Sequence, residues 1–307
     1  MGTPEFAVAI LSCLVQSTYH VAAVYTRPDK EAGRGRQLGS SPVKRLAQQR
    51  GIPVVQPRTL KSAEAVRGLA SLEPDLVVVA AFGYILPGEL LSVPKSGCLN
   101  VHPSLLPAHR GPSPIADTIL SGDTETGVSI ILMDEGVDSG PILARRQVDI
   151  SPEDTTGSLT ARLGAEGAEL LLEVLPEWLA GALQPSPQEE SQATYSRLIT
   201  SNEGQLDWQL TAVELWRQVR AFNPWPGCHS WWKGHRLKIH SATPLGDRAG
   251  GQAGKVVALG KSAPSGVGVV AGEGIVALRR VQLEGKREMS VDEFVRGQRD
   301  FIGSVLG

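Results

Sequence analysis

Apolar residues fall into two alternating textures over the first 180 positions. Stretches with a helical period of three to four cover 5–16, 43–49, 63–72, 114–120 and 156–179. Between them lie short runs that are apolar at nearly every position, over 21–25, 54–55, 76–80, 99–102, 128–133 and 142–148. A strand that is apolar on both faces must be covered on both faces, so this alternation predicts a parallel, doubly wound α/β sheet. The texture changes at 181. Pro185 and Pro187 flank a polar stretch with no period, which reads as an extended linker over 181–200. Beyond 201 a helix over 212–221 precedes short strands over 236–240, 254–259, 266–270 and 275–281 between Gly-rich turns. That pattern predicts a small all-β barrel. The expected organisation is a sheet domain over 1–180, a linker over 181–200 and a barrel domain over 201–307.

The first residues are unusual. Gly2-Thr3-Pro4-Glu5 resembles the turn between a strand and its helix, with Thr3 expected to cap and Pro4 to open the helix. Only Met1 precedes it, although the first strand of a doubly wound sheet is central. The expectation from sequence is that the physiological start lies upstream and that a first β-strand is missing. Ahead of the barrel strands, Phe222 and Trp225 are expected to anchor the 212–221 helix on the barrel.

Composition narrows the class. Of the 307 residues, 41% are apolar and 20% charged, the balance of an ordinary globular protein. No run is long enough to span a bilayer and no export signal opens the chain, so a membrane role is not expected. Cys13, Cys98 and Cys228 form no CxxC pair, so neither disulfides nor a metal site is expected, and a reducing cytoplasm is the expected location. Charge is uneven: 16 Lys and Arg stand against 22 Asp and Glu up to Thr200, and 14 against 10 after it. This mild basic excess is compatible with an anionic partner and too small to demonstrate one.

The chemistry concentrates around Asn100-Val101-His102-Pro103. Side chains two apart on a strand share a face, so Asn100 and His102 point the same way. Pro103 ends the ladder, leaving both polar groups at the carboxyl end of a strand, where open α/β sheets bind ligands. Asp138 follows on a Gly-flanked loop, Gly136-Val137-Asp138-Ser139-Gly140. An amide donor, an imidazole and a carboxylate together suit acyl transfer. The amide stabilises an oxyanion, the imidazole moves a proton, and the carboxylate orients and stabilises the imidazole. An isolated His of this kind would more often be a satisfied core residue; Asn100 beside it favours the functional reading. His20, His109, His229, His235 and His240 read as surface or packing residues.

Several motifs occur in one order and spacing: Gly2-Thr3-Pro4-Glu5-Phe6-Ala7, Gly33-Arg34-Gly35-Arg36, Ser41-Pro42-Val43-Lys44, Phe82-Gly83-Tyr84-Ile85-Leu86-Pro87, Asn100 to Gly111, Met133 to Gly140, and Arg220 to Pro226. In this combination the chain resembles the methionyl-tRNA formyltransferases along essentially its whole length. The resemblance implies a Rossmann-like, mostly parallel doubly wound sheet followed by an OB-type barrel. It implies formyl transfer from 10-formyltetrahydrofolate, a co-substrate, to the α-amine of methionyl initiator tRNA for translation initiation. The family's catalytic Asn, His and Asp map onto Asn100, His102 and Asp138. The folate pocket maps onto Phe82, Gly83, Tyr84, Ile85 and Leu86 with Ser104, Leu105, Leu106 and Pro107. Arg34 and Arg36, on a loop that enters the acceptor arm, and Arg110 are the implied tRNA contacts. The enzyme is expected to act as a monomer, without metal, in the cytoplasm.

The nearest alternative is another folate-dependent N-formyltransferase, acting on an amino-sugar nucleotide or on glycinamide ribonucleotide. Hydrolysis of the folate donor and a non-catalytic tRNA- or nucleotide-binding module are more distant. The barrel and the Gly33–Arg36 loop disfavour the purine enzyme, and intact Asn100, His102 and Asp138 disfavour a dead one. No GxGxxG follows a strand in the first unit, so NAD chemistry finds no support.

Overall fold

The computed structural model describes residues 1–32, 37–246, 251–260 and 262–307. The chain forms two compact units. One comprises Met1–Ile115, Thr124–Ile150 and Ser158–Arg197; the other comprises Ala116–Asp123, Ser151–Gly157 and Leu198–Gly307.

The first unit is the expected Rossmann-like sheet with helices. Strands β1 (Val24–Tyr25) and β4 (Val54–Val55) pair in parallel, as do β5 (Val77–Val79) and β6 (Cys98–His102). Between β1 and β5 lie Met1 and Gly2. Gly2 N–H donates to Tyr25 O (2.9 Å), Ala80 N–H donates to Met1 O (2.9 Å), and Gly2 bridges Ala80 in parallel. An apolar cavity of about 360 Å³ adjoins them, lined among others by Ala7, Leu11, Val24, Leu69, Val77 and Leu175. None of the candidate catalytic residues lines it. On the other side of β6 the sheet turns antiparallel, through β7 (Glu125–Leu132) and β8 (Ile142–Asp149). The 133–141 loop between β7 and β8 is too short for a parallel return, which needs a dozen or more residues.

Helix α1 (Glu5–Gln16) begins with Pro4 at its N-cap and no side-chain cap. Thr3, expected to cap it, instead donates its hydroxyl to Phe82 O at 3.2 Å, which ties the turn to the end of β5. A short hairpin of β2 (Lys30–Ala32) and β3 (Gln37–Gly39) was not legible, because its residues carry no apolar alternation. Helix α2 (Pro42–Gln49) is capped by Ser41, which accepts from Lys44 N–H; α3 (Ala63–Ala70) is capped the same way by Ser62. A four-residue helix, α4 (Gly88–Leu91), and α5 (Pro114–Ser121) flank β6 in sequence. The long α6 (Thr156–Leu179) has the bounds its periodicity predicts. It lies close on the sheet: a Cβ at Gly167 would stand 2.8 Å from Val101 and 3.1 Å from Val128. That close approach brings the β6 and β7 core under the helix.

The second unit is an antiparallel sheet in the order β11-β12-β13-β10-β9: β11 (Val256–Ala258), β12 (Val267–Val270), β13 (Ile275–Leu283), β10 (His235–Leu245) and β9 (Cys228–Trp232), with β14 (Met289–Ser290) on β13. The chain's last residues work toward closing it. Val256 N–H donates to Ser304 O and Leu306 N–H to Gly254 O, while Gly307 N–H donates to Trp231 O on β9. The tail thus links the two outer strands into a half-closed barrel, covering edges that would otherwise be open. Trp232, Phe294 and Phe301 pack edge-to-face at centroid distances of 5.0–5.7 Å, with Phe294 on α8 (Val291–Gly297). Helix α7 (Ala212–Ala221) starts with a capping box of Thr211 and Glu214. Phe222 is buried after it, as expected, but Trp225 is 57% exposed and does not anchor the helix.

Candidate functional site

Strand β6 delivers Asn100 and His102 on one face at its carboxyl end, both buried. The backbone that follows is held in a fixed loop. Ser129, register partner of His102 on β7, donates its hydroxyl to Ser104 O (2.7 Å) and accepts from Leu106 N–H (3.0 Å). Ser104 Oγ in turn donates to Ala108 O at 2.6 Å. One hydroxyl therefore satisfies both sides of a turn that leaves the sheet, as buried polar backbone requires.

That loop brings His109 and Gly111 back over the strand. His102 Nε2 lies 3.1 Å from His109 O. A carbonyl only accepts, so Nε2 carries the hydrogen and Nδ1 is the basic nitrogen. Gly111 N–H donates to Asp138 Oδ2 at 2.8 Å, and Asn100 Nδ2 donates to Asp138 Oδ1 at 3.1 Å. The same Oδ1 stands 3.6 Å from His102 Nδ1. All three residues predicted to carry the chemistry thus meet at one point. Burial lowers the pKa of His102 below the ordinary imidazole value, and Asp138 and the bond to His109 pull it back only in part.

The Asp138 loop is built for this approach. Asp138 is a non-glycine residue in the left-handed region, φ 51°. Asp134 Oδ1 accepts from Gly136 N–H (3.0 Å) and Ser139 Oγ (2.9 Å), closing the loop's base. At Gly140 a Cβ would fall 1.8 Å from Leu132 O, so no other residue fits there.

Other candidate residues divide differently. Leu106, Phe82 and Leu86 are buried: Leu106 packs with Ile131 and Ile142, while Phe82 and Leu86 pack with Val79 and Leu90. Ser104 is also buried and occupied. The Leu106, Phe82 and Leu86 side chains thus serve the core, and the Ser104 hydroxyl serves its loop. Gly83, at φ 78°, and Ile85, 72% exposed, lie on the outer side of the loop after β5. Tyr84 meets Phe82 edge-to-face at 5.3 Å, and the Arg27 guanidinium lies 4.7 Å over its ring. Leu105 and Pro107 are half-buried, with Leu105 filling the space a side chain at Gly127 would take.

Arg110 is not where a contact to RNA requires it. Its side chain is 1% exposed. Nη1 donates to Glu190 Oε2 (2.9 Å) and Tyr195 Oη (2.9 Å), and Nε (3.1 Å) and Nη2 (2.9 Å) donate to Gln188 Oε1. Leaving such a buried charge unpaired would cost ~3–5 kcal/mol, which explains why the chain supplies three partners. All three come from the stretch read as a linker, which carries a single 3-10 turn (Glu190–Gln192) and is bonded to the loop: Arg110 N–H donates to Thr194 O and Ser196 N–H to Arg110 O. Arg34 and Arg36 lie outside the described residues. Sequence reasoning missed His109 and Gln188, because one acts through its carbonyl and the other through partners 48–78 residues away.

Comparison with known proteins identifies the family. The Formyl transferase family matches residues 1–175, and the family described as Formyl transferase, C-terminal domain, matches 198–299. Methionyl-tRNA formyltransferase of Roseiflexus sp. (strain RS-1) is 45% identical over 309 residues, covering 100% of this chain and 94% of that protein. The Methionyl-tRNA formyltransferase of Methylococcus capsulatus is 46% identical over 306 residues, covering 100% and 98%. The chain belongs to the methionyl-tRNA formyltransferase family. Solved structures resemble this formyltransferase in fold. WlaRD, a sugar 3N-formyl transferase solved in the presence of dTDP and 5-N-formyl-THF, superposes with a TM-score of 0.65 at 18% identity, over 93% of this chain and 97% of that one. HypX from Aquifex aeolicus in complex with tetrahydrofolic acid gives 0.58 at 20% identity, over 83% of this chain and 44% of that one. Formyl transfer is therefore the enzyme's reaction type, and among the described residues no helix is long and apolar enough to cross a membrane.

Proposed function

We propose that this formyltransferase moves a formyl group from 10-formyltetrahydrofolate to the α-amine of methionyl initiator tRNA, using Asn100, His102 and Asp138. The observation that carries this reading is the convergence of an amide donor, a basic imidazole nitrogen and a carboxylate within 3.6 Å at the end of β6.

The amine nitrogen bonds to the formyl carbon and the carbonyl electron pair moves to oxygen. Asn100 Nδ2 donates to that developing oxyanion, without a change of charge. His102 accepts the proton the amine sheds, on Nδ1, where the Asp138 carboxylate stabilises the imidazolium. The bond between the formyl carbon and the folate nitrogen then breaks, and His102 returns a proton to that nitrogen. The products are the formylated aminoacyl-tRNA and tetrahydrofolate. The folate's flat ring would lie between the loops at 82–87 and 104–107, read by backbone groups and covered by Ile85 and Leu105. Exposure of an apolar side chain as complete as that of Ile85 suits a cover for such a ring. Arg34 and Arg36 are proposed tRNA contacts; Arg110, buried as it is, holds the loop and not the RNA. Every catalytic group comes from one chain, so a monomer suffices, and three unpaired cysteines suit the cytoplasm where tRNA is charged.

The test is acceptor specificity with 10-formyltetrahydrofolate as donor. Methionyl initiator tRNA is expected to be formylated far faster than elongator methionyl-tRNA, glycinamide ribonucleotide or an amino-sugar nucleotide. Transfer to a small amine with none to tRNA would overturn the substrate assignment. A second expectation follows from His102. Burial lowers its folded pKa below the ordinary imidazole value, which favours the neutral base. The rate is lost only as pH falls through that lowered value. The acid limb of kcat/KM against pH, which reports the groups of the free enzyme, is therefore expected below the ordinary imidazole value of about 6.5; a limb above it would contradict His102 as the base.

A further inference from the structure

Behind Asp138 stands a side chain that the reaction itself does not use. Gln188 Nε2 donates to Asp138 O and to Gly140 O, both at 2.7 Å. Its Oε1 accepts from Arg110 Nε at 3.1 Å and Nη2 at 2.9 Å. The amide cannot be reversed, since its oxygen would then meet two carbonyls and its nitrogen a guanidinium. Arg110 is fully buried, and its two neighbours in sequence already serve the site: His109 O meets His102 Nε2, and Gly111 N–H meets Asp138 Oδ2. The 109–111 run thus reaches His102 and the front of Asp138 through its backbone. Its central side chain reaches the back of the Asp138 loop through Gln188. The circuit closes on the carboxylate.

We propose that Gln188, anchored by Arg110, is a positioning residue that holds the Asp138 loop in the conformation formyl transfer requires. The proposal rests on the catalytic role given above to Asp138. A residue in the left-handed region that is not glycine keeps that conformation only when its surroundings enforce it. Two hydrogen bonds from the half-buried Gln188 to carbonyls on either side of Ser139 do so. The segment 182–197, polar and without period, therefore has a task beyond connecting two units. Its Gln188 sets where the carboxylate stands, while Glu190 and Tyr195 satisfy the rest of the guanidinium.

Three variants test this: Gln188→Glu, Gln188→Ala and, as a control, Asp138→Asn. Gln188→Glu keeps the volume and the partner of Arg110 but turns two donated bonds into two carboxylate–carbonyl repulsions. It is expected to fold, with a lowered melting temperature, while kcat falls ~10- to 100-fold, the scale of a displacement near 1 Å, with KM for both substrates nearly unchanged. Its acid limb is expected to move to lower pH, because Asp138 no longer sits close enough to favour the imidazolium; His109 is the other titratable residue facing the His102 ring, and its backbone contact is kept. Gln188→Ala should lose kcat and melting temperature in the same way. Wild-type kcat and acid limb in Gln188→Glu, beside a slow Asp138→Asn, would overturn the positioning role alone. A fully active Asp138→Asn would overturn the catalytic reading on which it rests.

Discussion

Replacing Asn100 with alanine is expected to lower kcat for formyl transfer by about 10²–10³, the usual effect of removing one oxyanion donor. Each factor of ten corresponds to ~1.36 kcal/mol of transition-state stabilisation, so Asn100 is asked for about 3–4 kcal/mol. The KM for acceptor and donor should change little. An interaction made only as charge develops on oxygen contributes to kcat and not to ground-state binding. The fold should survive, because Asp138 keeps its bond from Gly111 N–H and its loop keeps the bonds from Gln188. Steady-state kinetics of the purified variant checks this; a rise in KM with unchanged kcat would move Asn100 from catalysis to binding.

Asp138→Asn is expected to cost still more, ~10²–10⁴ in kcat. The carboxylate does three things at once. Oδ1 accepts from Asn100 Nδ2, Oδ2 accepts from Gly111 N–H, and the negative charge stands 3.6 Å from His102 Nδ1. An asparagine offers one acceptor for two donors, so its own NH₂ must face either the Asn100 amide or the Gly111 N–H. One choice loses the bond that aims Asn100; the other sets two donors against each other at Gly111 and displaces the loop that carries the acceptor. Loss of the charge also removes the main influence that favours a protonated His102, whose pKa burial already lowers. The expected pH profile therefore shows a smaller plateau with its acid limb displaced further downward. A variant with the wild-type plateau would mean that the carboxylate only caps its loop.

How much of this was legible in the chain follows from how local each signal is. Asn100 and His102 share a face because strands have a period of two, and Pro103 marks the strand's end; both are readable within four residues. Helix α6 is readable because its apolar positions repeat for 24 residues. Strand β9 was passed over. His229 and Ser230 interrupt its apolar run, and they are tolerated inside only because Trp208 Nε1 donates to Ser230 Oγ and Arg236 meets the His229 ring. Arg110 was read as a tRNA contact because its partners, too, are distant in sequence. Nothing within ten residues announces that Gln188, Glu190 and Tyr195 will bury it, and charged residues are almost never fully buried without partners. Phe82, Leu86 and Leu106 occupy loops that flank the site, yet the turn of each loop points them into the core. Sequence shows which loop is near a site more readily than which side chain of it faces the ligand. The Thr3 hydroxyl, expected as a cap, found Phe82 O across the sheet instead, a contact between residues 79 positions apart that no local rule anticipates.

The central claim is that Asn100, His102 and Asp138 act as one unit. It is tested most directly by kcat/KM for methionyl initiator tRNA in Asn100→Ala, in Asp138→Asn and in the double variant, each beside the wild type. Residues that work as a unit are strongly non-additive. The account requires the double variant to be about as slow as the slower single one, because Asp138→Asn already disorders the amide that Asn100→Ala removes. Losses that simply multiply would show two independent contributions and contradict the account, as would wild-type rates in either single variant.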